Sequence, residues 1–434
     1  MSDIVELADP LAWYRDANAQ AAELIKARHP IAAEIILKRI LAVHDQFPEV
    51  WCNLSTALWT QRRYQEALNA AERALTIAPD AYIAHANLGL IYEGLGDPEE
   101  SEKHYRRALE IDPNYLAGRF DYSLLRLGKY DYKRGFDEYD FRIEHQRLRD
   151  GNKSYPRFAM PMWNGEDLAG KSIHVEPEQG IGDTVFFARF LPWLAGQAKR
   201  VTLCLSHTLM PLLWDSRHTV ELVPQKVPLP VADYHVFIGS IPRWFFCYHD
   251  DIPPDPGWIV KRLSGSNNLR IEEPNSHPSV KIGINWTGNP AQERNDERSV
   301  PLRQLLRLAE DPRVWLYSLQ AGNAARQIDE LGVAGLVNDL SDDLEAHGFV
   351  GTAEAVMKMD LIVTCCTSVA HIAGALGKKC WLLLCKDPYW IWGYSDSTET
   401  PWYPSIRMFR QKSAGEWAPV LDEVKLALAE YLNA

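Results

Sequence analysis

Asp183 stands in "EPEQGIGDTVFFARFLPWLA" (176–195), a glycine-punctuated stretch between an apolar run and an aromatic-rich helical pattern. Gly180 and Gly182 remove side chains where a substrate could approach the backbone, and the helix that follows opens with free N–H groups. Two chemistries fit the carboxylate. It can accept from its own helix's amides as an N-cap, or it can take a proton from an acceptor hydroxyl as a general base. Spacing leaves both open, because one acid beside glycines is weak evidence.

Two further loops carry groups suited to an anion. In "INWTGNPAQERNDERSVPLRQL" (284–305), Trp286, Thr287, Gly288 and Asn289 follow an apolar run directly, and Arg294 and Arg298 come before the next helix. Two guanidinium groups can hold a diphosphate without a metal. Asp296 and Glu297 could neutralise both, and taken alone the letters favour a solvated charged loop. In "LIVTCCTSVAHIAGALG" (361–377), Thr367 and Ser368 lie at a helix start with His371 one turn on. Hydroxyls, free amides and the positive helix end make an anion site, although an N-capping hydroxyl and a packed core imidazole would leave the same letters. No D-x-D ends an expected strand, and "CYHDD" near His249 reads as an isolated polar turn. Neither a Gly-x-Gly-x-x-Gly run nor a phosphate-loop lysine is present, which disfavours nicotinamide and nucleotide-hydrolysis chemistry.

These loops need a scaffold, and 434 residues suit two or three domains. A net charge of −12 argues against a nucleic-acid partner. The seven cysteines show no paired C-x-x-C spacing, as expected of reduced thiols. The acidic start "MSDIVELADP" has no signal pattern and no apolar run approaches the ~18 residues of a membrane span, so a cytoplasmic location is expected.

Repeats occupy the first part. "WCNLSTALWTQRRYQEALNAAERALTIAPD" and "AHANLGLIYEGLGDPEESEKHYRRALEIDPN" place Pro79 and Pro113 34 residues apart, the tetratricopeptide period. Trp51, Leu54, Ala67, Ala71 and Ala74 correspond to His85, Leu88, Ser101, Tyr105 and Ala108. An imperfect unit surrounds Pro48, and the pattern after Tyr115 departs from the repeat as a capping pair would. Past Arg149 the periodicity stops, which sets an expected boundary at 150.

From Lys171, apolar runs alternate with helical patterns: "SIHVEP", "VTLCLS", the helix "TLMPLLWD", "YHVFIGS", "VKIGINW", "VWLYSLQ", "AVMKMDLIVTCC" and "KCWLLLC". That alternation predicts parallel α/β sheets covered on both faces, two of them divided near "NLRIEEPNSHPSVK". Ligands then sit beyond the carboxyl ends of the strands.

Together "EQGIGDTVFFARFLP", "IGINWTGNP", "ERSVPLRQL", "YSLQAG", "DLIVTCCTSVAHIAGALG" and "PWYPSIRMFRQ" resemble the catalytic half of bacterial tetratricopeptide-linked glycosyltransferases, whose two-lobed region is similar to that of the lipopolysaccharide heptosyltransferases. The resemblance implies a helical repeat domain over 1–150 and a GT-B fold of two Rossmann-like lobes. Residues 151–270 would hold the acceptor and 271–434 the nucleotide-sugar, with the last helix packing back on the N-terminal lobe. It implies metal-independent, inverting transfer of a hexosyl- or heptosyl-like unit, with no cofactor beyond the nucleotide-sugar co-substrate. Asp183 takes the place of the base, Arg298 that of the donor-phosphate contact, and Thr367, Ser368 and His371 that of the hydroxyl-rich helix start. Trp286, Asn289, Arg294 and Gln320 join the donor set, and Gln179, Gly180 and Gly182 form the acceptor-side loop. Cys366 stands where the family usually has an aspartate, Gly351 where it commonly has an acid, and Ala321 where a basic residue often follows "SLQ". The repeats would present a protein acceptor, bacterial surface or flagellar proteins being candidates by resemblance, or would only scaffold. A non-catalytic adaptor and a nucleotide-sugar epimerase remain as alternatives. Trp390, Trp392 and Trp402 suit either stacking on a ligand or the core.

Overall fold

The computed structural model describes residues 12–213, 219–225, 227–229, 231–253, 269, 271, 279–292 and 294–434. Contacts divide the chain into two units. One runs to Lys129 and takes in Glu138–His145, and the other holds Tyr130–Asp137 and Gln146–Ala434.

The first unit is built from the tetratricopeptide repeats. Helices α1 (Ala12–Lys26), α2 (Pro30–Val43), α3 (Pro48–Thr60), α4 (Tyr64–Ile77), α5 (Tyr82–Leu95), α6 (Pro98–Ile111) and α7 (Leu116–Gly128) follow in order, and the next two helices, α8 (Tyr132–Tyr139) and α9 (Phe141–Asp150), are divided between the two units. α5 starts 34 residues after α3 and α6 34 after α4, and α7 and α8 keep the same phase. Proline at the first helical position opens α2, α3 and α6, where the missing N–H is no loss. Gly96, at φ 82°, ends α5, and Asp97 then caps α6 by accepting the Glu100 N–H at 3.1 Å. Ala67, Ala71 and Ala74 are fully buried and let neighbouring helices close up. Gly89 serves the same end, since a Cβ there would lie 2.6 Å from the buried Tyr105 ring.

The expected boundary at 150 does not coincide with this division. Residues 130–137 belong to the second unit, where Tyr132 stacks on Phe246 at 5.2 Å and meets Trp402 edge-on at 4.9 Å.

The second unit is α/β. Its first part runs β1 (Ser172–Glu176), α10 (Ile181–Phe187), α11 (Leu191–Gln197), β2 (Arg200–Leu205), β3 (Glu221–Pro224), β4 (Tyr234–Phe237) and α12 (Ile241–Tyr248). Its second part runs β5 (Val280–Asn285), α13 (Asn295–Arg298), α14 (Leu302–Leu305), β6 (Val314–Ser318), α15 (Gln327–Glu330), β7 (Val337–Asp339), α16 (Ser341–Lys358), β8 (Leu361–Cys365), α17 (Ser368–Ala375), β9 (Cys380–Leu384), β10 (Ile406–Arg410) and α18 (Ala418–Asn433). The strands form two parallel sheets, ordered β3-β2-β1-β4 and β10-β9-β8-β5-β6-β7. Every residue of β8 and β9 is buried, as both-face coverage of a parallel sheet requires. In each sheet the winding reverses beside its first strand, between β1 and β4 and between β5 and β8. A crevice opens at such a reversal.

Several expectations change. "AVMKMDLIVTCC" is not one strand, because Ala355–Lys358 complete α16 and only Leu361–Cys365 pair. "TLMPLLWD" forms turns over 208–213, and its last two residues lie outside the described ones, as does most of "NLRIEEPNSHPSVK". Expected to pack back on the N-terminal lobe, the last helix instead buries its apolar side, among the described residues, against the second sheet. Val420, Leu421, Val424, Ala427 and Leu428 join Ile282, Leu305, Leu316 and Trp381 in the core of the second sheet. Its apolar stripe matches that nearer sheet, and the segment before it makes the return instead: Phe186 of α10 packs edge-on against Trp390 and Trp402, which with Trp392 are core.

Replacing Gly89 by valine should displace Tyr105 and lower the stability of the repeats by about 1–3 kcal/mol, the usual cost of overpacking. Urea denaturation followed by circular dichroism measures this, and an unmoved midpoint would refute the close approach.

Candidate functional site

A cavity of about 850 Å³ opens where the carboxyl ends of the two sheets face each other. Gln179, Gly180, Gly182 and Asp183 line it from the loop after β1 and the start of α10, Asn289, Arg294 and Arg298 from the loop after β5 and the short α13, and Cys366, Thr367, Ser368 and His371 from the start of α17. Both reversal points therefore supply its walls.

The loop after β1 is held from several sides. Buried Glu178 accepts the Gly239 N–H at 2.8 Å and the Tyr155 hydroxyl, which ties the loop to the end of β4. Gln179 adopts a left-handed φ of 59° and accepts from the Tyr389 hydroxyl at 3.0 Å. Gly182 lies against α17: a Cβ there would stand 2.8 Å from His371 Cδ2 and 3.5 Å from Ser368 Cα. Asp183 occupies the third position of α10, and its Oδ2 accepts the Gly180 N–H at 2.9 Å. Capping is thus half made, since Gly180 has no side chain to return the bond. Burial raises the Asp183 carboxyl to about 6, Glu178 pushes the same way, and the Gly180 amide and Arg298 oppose it. A carboxyl so placed exchanges a proton near neutrality, which suits a general base.

The opposite wall is cationic. Arg298 donates to the Cys366 carbonyl at 2.8 Å and to Asn295 Oδ1 at 3.3 Å, and it forms no ion pair among the described residues. Arg294 differs. It pairs with Glu297 and Asp387, each at 2.8 Å, so its charge is largely answered. The charged-loop reading therefore fits Arg294 and fails for Arg298. Asn295 shapes the loop from beneath, accepting the Gly288 N–H at 3.0 Å and donating to Thr287 Oγ1 at 2.9 Å. A Cβ on Gly288 would run into the Arg298 guanidinium. Asn289 is exposed, its Oδ1 accepting the Ala291 N–H at 3.0 Å.

Thr367 is the N-cap residue of α17 but makes no side-chain cap; its hydroxyl donates to Asn285 Oδ1 at 2.8 Å. The first amides of α17 are therefore left without that cap, beside Ser368 and Arg298, which is the arrangement an anion requires. His371 is buried against Tyr403 OH at 3.1 Å and against Trp392. Burial and the charges of Arg189 and Arg298 lower its imidazole to about 3, so it is neutral in the physiological range. Cys366 Sγ accepts the Trp392 indole N–H at 3.0 Å, and burial raises the thiol, which stays uncharged. A neutral group at 366 leaves the Arg298 charge unspent.

Two expected donor contacts are absent from this cavity. Trp286 is turned into the core of the second sheet, packed with Ile284, Val300 and Leu302, because its position continues the inward-facing alternation of β5. Gln320 is also buried away from the wall, and its Oε1 accepts from Asn285 Nδ2 and from the Trp286 and Thr287 amides at 3.0–3.3 Å. It holds the strand end that presents the site. Asn285, Asn295 and Glu178 perform comparable work that sequence reasoning missed. Asn285 and Glu178 showed only as polar residues near the end of an apolar run, with partners tens of residues away, and Asn295, whose partners are within eight residues, lies in a polar run where nothing marked it out.

The tetratricopeptide-repeat family matches residues 52–115. Protein FlbA of Caulobacter vibrioides is 24% identical over 454 residues, covering 96% of this chain and 72% of that protein. Protein O-mannosyl-transferase TMTC3 of Homo sapiens is 29% identical over 79 residues, 18% of this chain and 9% of that protein. A crystal structure of MamA superposes on 33% of this chain and 83% of its own, with 19% identity and a TM-score of 0.27. Among the described residues no helix is long and apolar enough to cross a membrane.

Since a hydrogen bond to a charged group is worth about 1.5–3 kcal/mol, Arg298→Ala should weaken inorganic pyrophosphate roughly tenfold or more, and Arg294→Ala far less. Titration calorimetry measures both, and equal losses would remove the distinction between the two arginines.

Proposed function

We propose that the second unit is a GT-B glycosyltransferase that moves a sugar from a nucleotide-sugar to an acceptor hydroxyl, with the acceptor on a protein bound by the repeats. The observation that carries this reading is that Asp183, whose carboxyl burial raises to about 6, lines one cavity with Arg298, which forms no ion pair among the described residues, and with the start of α17, which has no side-chain cap.

The acceptor hydroxyl attacks the anomeric carbon from the Asp183 side while the nucleoside diphosphate departs toward Arg298. Asp183 takes the hydroxyl proton. Arg298, the Ser368 hydroxyl and the amides of α17 stabilise the charge that develops on the leaving diphosphate, a preorganised electrostatic role that a metal fills in other transferases. Inversion at the anomeric carbon and the sugar-transfer class come from the resemblance of the loops. The repeats match a family of helix pairs whose stacked units offer an extended protein-binding surface. The adaptor reading draws on Cys366, whose thiol replaces an acid, and it requires nucleotide binding without turnover.

The carboxylate is the active form of the base, so kcat/KM should rise roughly tenfold per pH unit below about 6 and level off above it. Asp183→Asn should abolish both transfer and that rising limb while nucleoside diphosphate affinity changes less than about twofold. Product analysis with a donor panel, at a series of pH values, tests this. Undiminished turnover in the variant would remove the base assignment, and binding with no turnover in the unaltered protein would favour the adaptor.

A further inference from the structure

The second unit holds another cavity, of about 460 Å³, that this chemistry does not use. Trp193 of α11 and Phe245 of α12 provide aromatic surface in its lining, and Arg189, His249, Asp250 and Asp251 complete the polar part. The "CYHDD" turn, which no reading of the transfer site absorbs, thus borders a concave surface.

Arg189 is the unusual member. It is 3% exposed, donates Nε–H to the Phe186 carbonyl and Nη1–H to the Trp402 carbonyl, both at 3.0 Å, and lies 4.6 Å from the Tyr403 ring centroid. Its Nη2 is buried with no hydrogen-bond partner, and no carboxylate pairs with it among the described residues. A buried donor without an acceptor is costly and is usually satisfied by water or a ligand. Asp250 and Asp251, exposed on the same cavity, bring acceptors of opposite sign.

This mixture selects against simple ions. An anion would meet the two exposed carboxylates, and a cation would lie over the buried positive charge of Arg189. A neutral molecule meets neither penalty: its hydroxyls donate to the carboxylates, and a flat C–H face rests on an indole as well as on any other apolar surface. Trp193 is half-exposed and packs edge-on against Phe245 at 5.7 Å, while His249 stacks on Phe245 at 4.4 Å, which fixes the platform. We infer that this cavity is a second carbohydrate subsite, one that takes a neutral sugar unit. It is distinct from the cavity that Asp183 lines and stands whether or not that cavity transfers a sugar.

Saturation-transfer NMR on the full chain, with methyl glycosides of glucose, galactose, mannose, N-acetylglucosamine and rhamnose, tests the inference. At least one glycoside should give a signal that persists under saturating nucleoside diphosphate and in Asp183→Asn. Trp193→Ala should weaken that glycoside at least tenfold, and the double variant Asp250→Asn, Asp251→Asn should weaken it severalfold with an unchanged melting temperature. No signal from any of the five, competition by nucleoside diphosphate, or full binding in folded Trp193→Ala would each overturn the assignment.

Discussion

The candidate site depends on how closely the loop after β1 can approach the start of α17. Residue 182 touches His371 and the backbone of Ser368, and only glycine leaves room for that contact. Any side chain there would push the two sheets' loops apart, taking Asp183 away from Arg298 and opening the cavity to water. His371 is held by the same contact, buried and neutral between Tyr403 and Trp392. A charged imidazole at this place would add to Arg298 and Arg189 in a low-dielectric region, which is why burial and those cations keep it unprotonated.

Beneath the walls, a few amides convert strand ends into a rigid platform. Asn285 receives the Thr367 hydroxyl and gives its own N–H to Gln320, so β5 and β8 are joined across the reversal point. Gln320, just past the end of β6, then fixes the Trp286 and Thr287 amides. Asn285, Gln320 and Thr367 are buried and bonded to one another or to these amides, so they orient the loops from beneath. The division between presenting and supporting residues explains why Trp286 and Gln320, though next to the site in sequence, lie outside it in space.

Charge balance separates the two arginines. Arg294 sits among Glu297 and Asp387, while among the described residues Arg298 bonds to a carbonyl and an amide oxygen. The thiol of Cys366 completes that asymmetry, since an acid at this place would answer the Arg298 charge. Whatever anion enters the cavity meets the Arg298 cation beside a helix start that has no side-chain cap.

The sequence alone determined the repeat phase, because a 34-residue period is written in alanines, glycines and prolines whose packing needs are local. It also determined the alternation of strands and helices, since covered parallel strands must be apolar throughout. The loops holding Asp183, Arg298, Thr367, Ser368 and His371 were legible for the same reason, each following an apolar run directly. Tertiary structure decided which of their side chains face the cavity, which arginine stays unpaired, where α18 packs, and which unit receives residues 130–137. Those outcomes rest on contacts between residues far apart in the chain, such as Arg294 with Asp387 or Tyr132 with Trp402, and no local pattern encodes a partner's position.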